Sequence, residues 1–281
     1  MAEALRVTPS AVSQHLAALQ RGIGIPLTAK DGRRLVLTDA GEALAIAGAR
    51  VEQSLAEADA AVEAFLDRDT RPVTVSAFHS AGLAWFGPVL TALAGDDLRV
   101  QLSDEDVAQQ DFPRMTADHD LVIAHRLPHT PPWPPRVTTI PVLNEPLDVA
   151  LAADHPLADK SVLEPGDLAG LSWVAVHEGF PLAGVLDHLS ALIGSPARLE
   201  HRINDFHVAA GVVRSGTAVA IMPRFTTASL IDGSLVLRPV AGVRLERRVD
   251  LLARPEALAR RAVRRVADVI VEVARAGVRP R

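Results

Sequence analysis

Val12, Leu16 and Leu19 stand at the i, i+4, i+7 spacing of one helix face. Thr8-Pro9-Ser10 precedes them. Thr8 suits the N-cap, and Pro9 suits the first helical position, where its missing N–H is not needed. Gly22 and Gly24 end the pattern, so a helix is expected from residue 9 to about residue 21. Ser10, Ser13, Gln14 and Ala17 fall on the other face, as short groups suited to base edges and phosphates in a major groove. An ordinary amphipathic surface helix carries a similar face. The segment after Gly24 narrows the choice. Asp31-Gly32 is a hairpin-turn signal, and Leu35 and Leu37 alternate as on a half-buried strand. A helix followed by a two-stranded wing is a winged helix-turn-helix. Arg33 and Arg34 at the wing tip are candidates for the minor groove or for phosphate.

The run Thr8-Pro9-Ser10-Ala11-Val12-Ser13-Gln14-His15-Leu16 is followed by Leu19, Gly24, Pro26-Leu27, Gly32-Arg33-Arg34 and Leu37-Thr38-Asp39-Ala40-Gly41. In order and spacing it resembles the head of LysR-type transcriptional regulators. The resemblance implies that residues 9–20 form the recognition helix, with Ser10, Ser13 and Gln14 facing double-stranded DNA. Three features depart from the family pattern. Thr28-Ala29-Lys30 stands where an aromatic residue and then an arginine are usual, and Gln20 replaces a glutamate. The family head also has a helix and most of a second one ahead of the segment matching Ala2–Leu5. Without it, Val12, Leu16 and Leu19 are expected to lack much of their cover. Two explanations stand open: a start codon upstream, or a shortened head with weakened DNA binding.

From Asp39 to Leu66, capped by Thr38, apolar residues recur by sevens at Leu44, Val51, Ala58 and Phe65, with Leu55 and Val62 in the adjacent register. This predicts a long helix with a coiled-coil-like seam, interrupted by Gly48. The seam packs either on the chain's own body or on the same helix of a second subunit. The resemblance implies the second, giving a homodimer or homotetramer that presents recognition helices about one DNA turn or a multiple apart.

Past Pro72 the periodicity changes. Strands are expected at Val73–Ala77, Leu98–Leu102 and Asp120–Ala124, with helices at Ser80–Ala94 and near Gln109–Ala117, the alternation of a parallel α/β sheet. Pro146–Ala152 reads as a crossover into a second lobe with strands near Ser172–Val176, Leu199–Ile203 and Ala218–Met222. Arg247–Ala253 reads as the return, closed by a helix over 256–275. This organisation resembles the LysR effector domain, which is similar to periplasmic binding proteins. The expected fold is therefore α/β: an N-terminal winged helix-turn-helix (1–38), a linker helix (39–67) and a two-lobed effector-binding domain (72–281). Lobe 1 takes about 72–147 and 249–281, and lobe 2 about 148–248.

Ligands of α/β sheets sit beyond the carboxyl ends of strands, often against helix N-termini. Phe78, His79, Ser80 and His125 hold those positions in lobe 1. His177, Glu178, Phe180, Asn204, Asp205 and Phe206 hold them in lobe 2. Ser80 and Asn204 are equally suited to capping helices. Free N–H groups at two helix starts and three phenylalanines predict an organic acid as effector. His79, His125 and His177 come from separate loops, without metal-ligand spacing, so no metal and no cofactor is expected.

Composition adds limits. The 281 residues contain no cysteine, which excludes disulfides and thiol chemistry. No apolar run is long enough to span a bilayer and no secretory signal is visible, so the expectation is a cytoplasmic protein without membrane contact. Net charge is −5, but residues 1–38 carry five basic and two acidic side chains, leaving −8 on the rest. A basic head on an acidic body suits DNA binding, though an excess of three charges is small. Arg260-Arg261 and Arg264-Arg265 form a further basic face, either a second DNA contact or a solvated helix surface. Gly-x-Ser-x-Gly, the phosphate-loop pattern and His-Glu-x-x-His are absent. The readings in order are a DNA-binding regulator, a small-molecule binding module with a non-functional head, and an enzyme on the same scaffold.

Overall fold

The computed structural model describes residues 8–32, 34–66 and 71–278. Helix α1 spans Pro9–Gly22, and the Thr8 hydroxyl accepts the Ala11 N–H at 3.2 Å. Val12 and Leu16 are half-buried and Leu19 is exposed, so the apolar stripe is only partly covered among the described residues. Gln20 does much of the anchoring instead. Its amide nitrogen donates to the carbonyls of Ile23 (3.2 Å) and Ile25 (2.6 Å), and its amide oxygen accepts the Leu27 N–H at 2.7 Å.

Strands β1 (Thr28–Asp31) and β2 (Arg34–Leu37) pair antiparallel, with Gly32 in the turn at φ +59°. Arg33 and the side chain of Arg34 lie outside the described residues. Helix α2 spans Asp39–Leu66. Thr38 joins it to the wing: its hydroxyl accepts the Gly41 N–H at 3.1 Å and donates to the Pro26 carbonyl at 2.7 Å. Gly41 is required there, because a Cβ would lie 2.0 Å from the Leu27 carbonyl oxygen. Along α2, Leu44, Val51, Leu55 and Val62 are 36–63% exposed, so this part of the seam does not pack on the chain's own body. The Phe65 side chain lies outside the described residues.

The remaining elements are β3 (Val73–Ala77), α3 (His79–Ala92), β4 (Val100–Asp104), α4 (Phe112–Met115), β5 (Leu121–Arg126), β6 (Thr138–Ala152), β7 (Ser172–Ala175), α5 (Ala183–Ile193), β8 (Arg198–Arg202), α6 (Phe206–Arg214), β9 (Val219–Pro223), β10 (Leu235–Arg238), β11 (Glu246–Ala253) and α7 (Arg261–Ala276). Nine strands run in the order β4-β3-β5-β11-β6-β9-β7-β8, with β10 also on β6. The long β6 joins the two lobes. Thr138–Pro146 pairs with β11 in lobe 1, and Leu147–Ala152 pairs with β9 and β10 in lobe 2. Strands β3, β4 and β5 are parallel to one another, as are β7, β8 and β9, while the crossing strands are antiparallel to their neighbours.

Each lobe has its own core. In lobe 1, Val75, Ile123 and Leu251 meet Trp85 of α3 and Val263, Val266 and Ile270 of α7. Lobe 2 places Trp173 with Leu151 and Leu189 on one sheet face, and Met222 with Val213 and Leu235 on the other. Full burial of one such side chain is worth roughly 1.5–3 kcal/mol. Three arginines at the start of α7 are bound within the chain. Arg260 pairs with Asp120 at 3.2 Å, Arg265 with Asp96 at 2.8 Å, and Arg264 donates to the Leu258 and Ala259 carbonyls. These three are tied into the fold, while Arg261 of the same basic face is exposed.

Candidate functional site

Two crossing strands place opposite charges side by side where the lobes meet. Glu145 on β6 and Arg247 on β11 are direct partners in the register, and both are fully buried. The Arg247 Nε and Nη2 lie 2.9 and 2.8 Å from Glu145 Oε2. Glu145 Oε1 accepts the N–H groups of Phe225 and Thr226 at 2.9 and 2.6 Å, just past β9 of lobe 2. Arg247 Nη2 also donates to Thr226 Oγ1 (2.7 Å) of lobe 2 and Ser80 Oγ (3.1 Å) of lobe 1. The guanidinium lies 4.6 Å over the Phe78 ring. One side chain therefore ties both lobes to their hinge. A second pair, Asp148 with Arg224, is bidentate at 2.6 and 2.7 Å beside it.

A cleft opens against this hinge, with about 310 Å³ of empty space including its mouth. Phe78, Ser80, Asp106 and His125 line it from lobe 1, and Arg247 lines it from the crossing strand. Val176, Phe180, Pro181, Leu182, Asn204 and Phe206 line it from lobe 2. A second, small space in lobe 2 shares Val176, Leu182 and Phe206 with the cleft and is lined by apolar side chains alone.

The cleft gathers Phe78, Ser80, His125, Phe180, Asn204 and Phe206, as the sequence predicts. The other four expected residues do not line it. The His79 ring is turned to Asp104 at 2.7 Å. Glu178 pairs with Arg202 at 2.9 Å, the His177 N–H is held by Asn204 Oδ1 at 2.8 Å, and Asp205 caps α6. Details differ too. His125 lies inside β5 rather than in a loop after it, because β5 continues in register with β11 as far as Arg126. Ser80 is no cap: α3 begins one residue earlier, at His79, with Phe78 as N-cap. Asn204 does not cap α6 either, since Asp205 accepts the His207 and Val208 N–H groups at 2.7 and 3.1 Å.

The two helix starts differ, since no side-chain hydrogen bond caps α3. The α6 start is served by Asp205. At the α3 start, the His79 backbone N–H acts on the Asp106 carboxyl. Burial pushes Asp106 above the usual carboxylate range. The His79 charge, the His79 N–H and Arg247 oppose the rise, and Asp205 adds to it. The His125 ring touches Phe78 (4.3 Å between centroids) and Phe112 (5.8 Å). Burial, aided by the Arg247 charge, holds His125 well below its ordinary value, so it is neutral. Arg247 Nη1 lies 3.5 Å from His125 Nδ1 and can only donate, which assigns the ring proton to Nε2.

Sequence patterns did not single out Arg247, Glu145 and Asp106 as site residues. Glu145 shares the inward parity of Leu147, Val149 and Leu151, and Arg247 that of Val249 and Leu251. Opposite charges on the inward faces of two crossing strands were the available signal. Asp106 follows β4, whose carboxyl end is a ligand-facing position like those of β3 and β5.

A two-lobed sheet with a cleft at its crossing strands, carried on a helix-turn-helix head, defines a ligand-responsive DNA-binding regulator. The profile described as the LysR substrate binding domain matches residues 66–275, and that of the bacterial regulatory helix-turn-helix protein, lysR family, matches residues 2–42. The chain belongs to the LysR family of transcriptional regulators; it is not an enzyme. It is 25% identical to the Hca operon transcriptional activator of Escherichia coli over 86% of this chain and 81% of that one. Its fold is similar to that of a full-length OxyR variant from Pseudomonas aeruginosa (TM-score 0.61, 20% identity, 98% and 88% of the two chains covered). It is also similar to the effector binding domain of QuiR in complex with shikimate (TM-score 0.59, 15% identity, 73% and 98% covered).

Proposed function

We propose that the interlobe cleft holds the small-molecule effector and that its occupancy changes how the chain sits on double-stranded DNA. The observation that carries this is Arg247, which lines the cleft while bonding Ser80 of one lobe and Thr226 of the other. A ligand touching Phe78, Ser80 or His125 on one side and Phe180, Asn204 or Phe206 on the other favours one lobe angle. An equilibrium shifts only as far as the ligand's affinities for the two angles differ.

The parts divide as head (1–38), linker (39–67) and sensor (72–281), with lobe 1 at about 72–147 and 249–281 and lobe 2 at about 148–248. In the head, Ser10, Ser13 and Gln14 are exposed on α1 and read base edges, while Arg33 and Arg34 at the wing bind phosphate or the minor groove. Thr8 acts by capping this helix beside the backbone of the DNA. The exposed seam Leu44, Val51, Leu55 and Val62 pairs with that of a second copy, as a homodimer or a homotetramer built of two such pairs. The reading places the protein in the cytoplasm with its DNA. It needs neither a metal nor a bound cofactor.

The test is fluorescence anisotropy on DNA from upstream of the protein's own gene, with a deproteinised small-molecule extract of the host cells. A shift in DNA affinity seen with the wild type and lost in a Phe180→Ala, Phe206→Ala variant supports the cleft. A shift retained in the variant places sensing elsewhere.

A further inference from the structure

We propose that α1 selects A·T base pairs in the major groove: the Gln14 amide pairs with the edge of an adenine, and Ala17 packs on the C5-methyl of a thymine in a neighbouring pair. This rests on the reading of α1 as the recognition helix and deepens it to the class of base pair.

The placement of α1 side chains comes first. Ser10, Ser13, Gln14, Ala17 and Arg21 lie within about 100° of arc on the helix, and all five are exposed. Val12 and Leu16 lie on the opposite side and are half-buried, so the exposed face points away from the chain's own body. The Thr8 cap fixes the N-terminal end, from which a recognition helix meets base edges. The helix has two amides on its surface, and they differ. Gln20 is held within the head by Ile23, Ile25 and Leu27, whereas Gln14 is exposed on the reading face.

The chemistry of that face then selects the base pair. Guanine presents two acceptors, N7 and O6, which paired cationic donors read best, and cytosine presents a donor that suits a carboxylate. Neither kind of group stands on this face before Arg21. Adenine presents an acceptor beside a donor, and an amide carries one of each. Thymine adds a methyl group, for which the Ala17 methyl is an apolar partner. Ser10 and Ser13 suit either pair, so the choice falls to Gln14 and Ala17. From Gln14 to Ala17 the helix advances about 4.5 Å, close to the base-pair step of about 3.4 Å, which puts the adenine and the thymine in neighbouring pairs. Arg21 lies four residues further on, about 6 Å from Ala17 along the axis, at the end remote from the base edges, where its charge meets phosphate.

The experiment is selection of bound duplexes from a randomised pool by the full chain and by Gln14→Arg, followed by sequencing. The wild type is expected to enrich A·T at one position of each half-site, at least fivefold over G·C. Gln14→Arg is expected to turn that position to G·C and to leave the rest of the site unchanged. Arginine matches glutamine as a helix former, so the exchange leaves α1 intact. A second measurement needs no variant. Deoxyuridine in place of the neighbouring thymidine removes only the methyl, and wild-type affinity in anisotropy should fall about fourfold, the effect of one buried methyl group. Ala17→Gly should lose this dependence. A wild-type preference other than A·T at the position that Gln14→Arg alters, or unchanged affinity for the deoxyuridine duplex, overturns the base-pair assignment. In both cases a base shifted by Gln14→Arg keeps α1 as the reader. The same sequence selected by wild type and Gln14→Arg, or no sequence enriched by the wild type, overturns the assignment and the reading of α1 together.

Discussion

Removing Arg247 alone should cost the protein far more than removing the whole ion pair. In Arg247→Met a side chain of similar length fills the space, but Glu145 stays fully buried with its negative charge. It keeps the Phe225 and Thr226 N–H groups and loses both contacts with the guanidinium. At 2.8 Å and an effective dielectric near 20, the lost attraction is roughly 6 kcal/mol gross. Relaxation and water entry reduce this to the range typical of a broken buried pair, about 3–5 kcal/mol. For a chain of this size that lowers the melting temperature by about 10 °C. Arg247→Met with Glu145→Gln removes both charges, keeps an acceptor for the Phe225 and Thr226 N–H groups, and should recover most of the loss, so the two changes are strongly non-additive. The assay is urea and thermal unfolding of the full chain followed by tryptophan fluorescence. Trp85 and Trp133 lie in lobe 1 and Trp173 in lobe 2, so both lobes contribute to the signal. A single variant within about 1 kcal/mol of wild type, or a double variant as unstable as the sum of the singles, refutes the account of the hinge.

Four further outcomes rest on the same contacts. Gln20→Glu keeps an acceptor for the Leu27 N–H but loses the donors to Ile23 and Ile25; it should loosen the head by about 1–2 kcal/mol, seen as faster amide exchange over residues 23–27. Gly41→Ala drives a methyl into the Leu27 carbonyl, so the wing should shift and DNA affinity fall at least tenfold in anisotropy, with the unfolding of both lobes unchanged. Asp106 has its folded value raised, so its contribution is most favourable below the ordinary carboxylate value and is lost as pH rises through the raised value. Asp106→Asn should therefore be more stable relative to wild type at neutral pH than at pH 4, and a constant difference contradicts this. Val51→Asp with Leu55→Asp should convert a dimer to monomers in sedimentation equilibrium, and a wild type that is already monomeric removes the role given to the seam.

Local signals carried most of the architecture into the sequence. The Thr8-Pro9 start, the Asp31-Gly32 turn and the seven-residue spacing of α2 each specify an element without tertiary help. The changes of periodicity at Pro72 and Pro146 mark the lobes. The site was half legible. Rules about strand ends found Phe78, Phe180 and Phe206, because those positions follow from topology alone. The hinge pair was not found, since Glu145 and Arg247 lie 102 positions apart and meet only through the register of β6 with β11. The expectation of an organic acid rested on N–H groups at both helix starts, and at α6 two of them are taken by Asp205. Asp205 lies in the loop that leads into α6, a place the strand-end rule marked for ligand and the helix uses as its cap.

The most direct test of the whole account is anisotropy of the full chain on DNA from upstream of its own gene against a scrambled duplex, across a salt series. The account predicts preference for the native sequence, with the logarithm of affinity falling linearly in the logarithm of salt as phosphate contacts release counterions. It also predicts that Ser13→Ala with Gln14→Ala erases the preference and leaves the salt slope unchanged. Equal affinity for both duplexes, or a preference unaffected by those substitutions, contradicts it.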